Sequence, residues 1–80
     1  MANAYHTTID SEFDWFSFRA YNSTTLYGYG TYLEASGYCA ILNSTREVGL
    51  YAFARITDED MIAEIEAGNE GVDLSEEVGA

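Results

Sequence analysis

The one imidazole and the one thiol of this 80-residue chain, His6 and Cys39, are the first side chains to weigh for chemistry. A thiolate generated by a histidine base is a nucleophile. A lone cysteine cannot form an internal disulfide, nor can it build a zinc site of several thiolates. A buried structural cysteine and an exposed histidine account for the pair without any reaction. Asp10, Glu12 and Asp14 alternate along the chain, so a strand would project all three from one face, where oxygen ligands could hold a hard cation. They lack the twelve-residue calcium-loop pattern, and a solvated strand face is the simpler reading. Gly28, Tyr29 and Gly30 have neither the spacing nor the lysine of a phosphate loop. No catalytic residue, metal or cofactor is expected, and the chain is not expected to be an enzyme.

What remains is charge. Nine carboxylates lie between Thr57 and Ala80 (Asp58, Glu59, Asp60, Glu64, Glu66, Glu70, Asp73, Glu76 and Glu77), with no Lys or Arg among them. The first 56 residues carry five acids against three arginines, so the formal net charge of −11 is polarised toward one end. Lysine is absent altogether. Direct nucleic-acid binding needs cations to replace counterions along the phosphate backbone, and this balance argues against it. Anionic membrane surfaces are disfavoured for the same reason. No window approaches the roughly 18 apolar residues of a membrane-spanning helix. The opening "MANAYHTTID" has no basic stretch before an apolar run, so no secretory signal is expected and the chain should be cytoplasmic.

The elements that position these acids follow from periodicity. Eighty residues make one small domain, and 48% apolar residues are enough for a core. "EFDWFSFRAY" (residues 12–21) reads as a strand with Phe16, Phe18 and Ala20 on one face. "TLYGYGTYLE" (25–34) alternates, and its two glycines argue against a helix. "ASG" (35–37) is read as a turn into "YCAILN", a short buried strand. "VGLYAFARI" (48–56) alternates again, and "AYHTTI" is a candidate fifth strand. "NST" occurs at Asn22 and at Asn43, within segments that align at an offset of 21 residues, so both are expected to be reversals. Spacing then changes from two to helical at Thr57: "TDED" has the shape of a capping box, Met61, Ile62 and Ile65 share a face, and Gly68 is a natural stop. The expected fold is α+β, an antiparallel meander of about four strands over residues 12–56 with one helix over 57–68 packed on it. An acidic tail over 69–80 follows, which Val72, Leu74 and Val78 could tether or which could fray.

The seven tyrosines exceed what one small core hides, and tyrosine is favoured at interfaces. An array of carboxylates on a rigid support can present negative charge to a basic cleft, steer onto it and block it. Solubility or adaptation to high salt is the alternative use of such acidity. In size, acidity, architecture and lack of catalytic residues the chain resembles the anti-CRISPR proteins, small phage-encoded inhibitors of bacterial defence. The resemblance implies a non-enzymatic inhibitor that mimics DNA and occupies the positively charged channel of a CRISPR effector complex, in a bacterial host's cytoplasm. Charge and exposure then select Asp58, Glu59, Asp60, Glu64, Glu66 and Glu70, with Tyr27 and Tyr29, as the partner-binding residues. The partner is a basic protein surface of a nucleic-acid-binding complex, and neither nucleic acid nor membrane is bound directly.

Overall fold

A computed structural model of the protein describes residues 12–45 and 50–79. His6, Asp10 and the "AYHTTI" strand lie outside them. Among the described residues the fold is α+β, with four strands in one sheet and three helices: β1 (Asp14–Arg19), β2 (Leu26–Gly30), α1 (Tyr32–Thr45), β3 (Ala52–Arg55), α2 (Glu59–Gly68), β4 (Gly71–Asp73) and α3 (Leu74–Gly79). The strand order is β3-β1-β2-β4. β1 is antiparallel to both β2 and β3, whereas β4 runs parallel to β2. The sheet is therefore mixed and not an antiparallel meander, and three helices stand where one was expected.

The first hairpin follows the sequence pattern. Phe16 and Phe18 are fully buried on one face of β1, opposite Gly28 and Leu26 of β2. Burying each ring contributes about 1.5–3 kcal/mol. Asn22 lies in the turn, which is closed by the Ser23 N–H donating to the Ala20 carbonyl at 3.2 Å. The glycines of β2 have a purpose the alternation does not disclose. A Cβ on Gly28 would come within 2.9 Å of Leu74 Cγ, so the bare strand forms the slot that Leu74 fills.

The predicted strand "YCAILN" is instead the middle of α1. The helix starts where Thr31 and Glu34 form a reciprocal capping box, the Glu34 N–H donating to Thr31 Oγ1 (3.2 Å) and the Thr31 N–H to Glu34 Oε1 (3.0 Å). Ala35, Tyr38, Cys39 and Leu42 are then buried at helical spacing, against Phe16, Phe18, Tyr51 and Leu74. The "ASG" turn is accordingly helical, and Gly37 faces Val78 of α3. Asn43 is likewise no reversal. It sits in the last turns of α1, accepts the Tyr51 N–H on Oδ1 and donates Nδ2 to the Tyr51 carbonyl, which fastens the helix to the start of β3. The two "NST" segments share letters and not geometry.

β3 and β4 both run parallel to β2, one on each edge of the sheet. α1 connects β2 to β3 and α2 connects β3 to β4, so the two crossovers travel in opposite directions. Crossovers of the usual right hand must then lie on opposite faces. Side-chain parity agrees. Even-numbered residues of β1 meet α1 and α3, while odd-numbered Trp15 meets α2 through Glu66. Residues 71–79 form β4 and α3, with Leu74 fully buried and Val72 and Val78 packed on the core, so this stretch is tethered and not frayed.

Candidate partner-binding face

The acids of α2 are placed by its caps and by two isoleucines. Thr57 is not the cap. Asp58, with extended backbone, accepts the N–H groups of Asp60 (2.9 Å) and Met61 (3.3 Å) on Oδ1, so the helix begins one residue later than the "TDED" reading. The shift is reasonable because a carboxylate accepts amide protons at least as well as a threonine hydroxyl, and it also complements the helix dipole. The helix ends at Gly68 as expected, but the residue that closes it is Asn69. Asn69 takes the left-handed conformation (φ 53°), with its own N–H bonded to Glu66 and the Glu70 N–H to Ile65. Ile65 is buried and Ile62 half-buried, while Met61 remains 41% exposed and so docks less than its spacing suggested.

With 62 and 65 turned inward, Glu59, Asp60 and Glu64 are exposed on α2, and Glu70 is exposed beyond its end. Glu66 behaves differently. It reaches back to β1 and accepts the Trp15 indole N–H on Oε2 at 3.1 Å. Tyr27 and Tyr29 project from β2 on the same side of the sheet, because Gly28 and Gly30 take the core side. Tyr29, 42% exposed, stacks on Phe13 (centroids 5.8 Å apart) and meets Trp15 at 5.4 Å. A cleft of about 310 Å³ is bounded by Trp15, Tyr29, Glu66, Gly71, Val72 and Asp73. Tyr27 lines a second one of about 230 Å³ with Ser17, Arg19, Thr25 and Met61. The structure thus gathers Tyr29 and Glu66 into one site and leaves Tyr27 beside a methionine and an arginine.

Trp15 and Asp73 line the first cleft, with Phe13 beside it on Tyr29, and none of the three is among the expected residues. Trp15 was legible by parity, since a face containing Phe16 and Phe18 leaves position 15 on the other. Its pairing with Glu66, 51 residues away, was not. The indole lies directly over Gly71, where any Cβ would run into the ring.

Among the described residues the one ion pair joins Arg55 Nε to Asp14 Oδ2 at 3.2 Å, so the carboxylates of residues 58–77 have no cationic partner. Asp14 is thereby taken out of the expected acidic strand face, and no group of three or more His, Cys, Asp or Glu side chains among the described residues could hold a metal ion. Cys39 is buried, donates to the Tyr51 carbonyl at 3.3 Å, and has its pKa raised by desolvation, which keeps the thiol protonated. No described helix is long and apolar enough to cross a membrane. No protein-family model, no curated protein and no solved structure matches the chain.

Proposed function

We propose that the protein is a non-enzymatic inhibitor that binds the basic nucleic-acid-binding surface of a CRISPR effector complex and excludes DNA by acidic mimicry, acting in the bacterial cytoplasm. The observation that carries this reading is the state of its carboxylates. Asp58, Glu59, Asp60, Glu64, Glu66 and Glu70 are exposed on or beside an α-helix capped at both ends, with no cation among the described residues to neutralise them. Charge that only promoted solubility would need no such fixed support. Held on a scaffold, it can meet an array of Lys and Arg without first paying to order itself. The effector channel is the target class implied by the likeness to anti-CRISPR proteins, and such channels are basic because they hold nucleic-acid backbones.

A competition assay tests the reading. The protein is held on an effector complex and duplex DNA is titrated in, with displacement expected because both claim the same cations. Binding should also weaken steeply between low and high salt. Simultaneous binding of protein and DNA, with the complex's affinity for DNA unchanged, would sink the mimicry.

A further inference from the structure

We propose that the cleft bounded by Trp15, Tyr29, Glu66 and Asp73 receives a single arginine side chain of the partner, its guanidinium lying against the rings and hydrogen-bonded to the two carboxylates. This deepens the functional reading and rests on it for the source of the arginine. Phe13, Tyr29 and Trp15 form a run of ring contacts, with centroids 5.8 and 5.4 Å apart, and Phe13 and Tyr29 stay 57% and 42% exposed. A planar cation is attracted to such ring faces. Both carboxylates are fixed from one oxygen only. Glu66 Oε2 takes the indole N–H, while Asp73 Oδ1 takes the N–H (3.1 Å) and hydroxyl (2.7 Å) of Ser75. Glu66 Oε1 and Asp73 Oδ2 are left to accept further hydrogen bonds, and a carboxylate has capacity for about four.

Each alternative occupant meets an obstacle. An apolar side chain would strip water from two carboxylates and return no hydrogen bond. An anion would be repelled by both. A lysine ammonium could enter, but it is a compact, strongly hydrated charge that gains less from a flat aromatic wall than a guanidinium does. Nor is the place taken from within the described chain. Arg55 is paired with Asp14 and lies over the Phe16 ring, and Arg19 lines the second cleft.

Trp15 is the chain's only tryptophan, so its indole N–H gives one resolved signal that reports directly on the cleft. The experiment titrates the peptide acetyl-Gly-Arg-Gly-amide into the labelled protein, and in parallel its citrulline and lysine counterparts. A saturable shift of the indole signal is expected with the arginine peptide. The citrulline peptide, which keeps the shape and loses the charge, should bind about tenfold more weakly. Glu66→Gln keeps an oxygen for the indole and removes the charge, so one resolved indole signal should remain in the free protein, at its own position, while arginine affinity falls by about the same factor. Tyr29→Ala removes a ring without touching a carboxylate and should weaken arginine more than lysine. Equal shifts with arginine and citrulline, or shifts confined to Glu59 and Asp60 with the indole unmoved, would overturn the proposal. The DNA competition separates the two failures. DNA-competitive binding without arginine preference removes the cleft alone, and arginine preference without DNA competition removes the mimicry alone.

Discussion

The two faces of the sheet are built on opposite terms. On the α1 and α3 face, Phe16, Phe18, Ala35, Tyr38, Cys39, Leu42, Tyr51 and Leu74 form one continuous buried cluster, with Phe53, Val72 and Val78 around it. On the α2 face Ile56 and Ile65 are buried, Ile62 and Trp15 only half so, and both clefts open there. The same four strands thus carry a sealed side, where contacts hold the fold, and an unsealed side that keeps rings and carboxylates available. Stability is concentrated where no partner can reach. That division places Glu59, Asp60, Glu64 and Glu66 on a helix whose inward contacts are Ile62 and Ile65, away from the main buried cluster.

Unequal mutational costs would make this contrast quantitative. Phe18→Ala should cost about 3–5 kcal/mol, against about 1 kcal/mol for Ile62→Ala on the half-sealed side. Denaturant midpoints measure both, and comparable costs would mean that the faces are equally structural. The caps come next. Asp58→Ala should cost about 1 kcal/mol by removing the acceptor for the Asp60 and Met61 amides. A Thr31→Ala change in the α1 capping box should cost a similar amount, but it should lower the melting temperature without altering partner binding. The smallest stability effect belongs to Glu64→Lys combined with Glu70→Lys, expected within about 0.5 kcal/mol because both carboxylates are exposed and neither is paired among the described residues. The same double change should weaken capture of the effector complex strongly in a pull-down at low salt. Asp58 has no place in such a test, since it caps a helix as well as carrying charge.

The hairpin and α2 were readable from periodicity because their patterns are long and unambiguous. α1 was readable and misread. "TYLE" at Thr31–Glu34 is a full capping box, and 35, 38, 39 and 42 have helical spacing. The internal match of the two "NST" segments and the glycine in "ASG" drew the same residues toward a second hairpin. Gly37 inside a helix costs about 1 kcal/mol relative to alanine, which the buried stripe around it offsets. β4 left almost no trace, since three residues cannot establish a period, and its parallel pairing with β2 depends on a crossover set by the whole fold. The site divides the same way. The exposed acids were visible as composition, and Tyr29 as an outward position. The cleft was not, because Trp15, Glu66, Gly71 and Asp73 come together only when β4 is in place.

That dependence gives the cleft a lifetime of its own. β4 is an edge strand held on one side only, by three register positions against β2. Its pairing joins Tyr27 to Gly71, among the most distant partners in the chain and the last to be favoured by loop-closure entropy. Amides of β4 should therefore exchange with solvent through local fraying, faster than those of β1 at the centre of the sheet. Each such opening lifts Gly71 and Asp73 from beneath and beside the indole, so the wall of the cleft dissolves while Phe16 and Phe18 stay packed. An occupant bridging Glu66 and Asp73 would slow that fraying, so filling the cleft should raise the exchange protection of the β4 amides while leaving that of β1 unchanged.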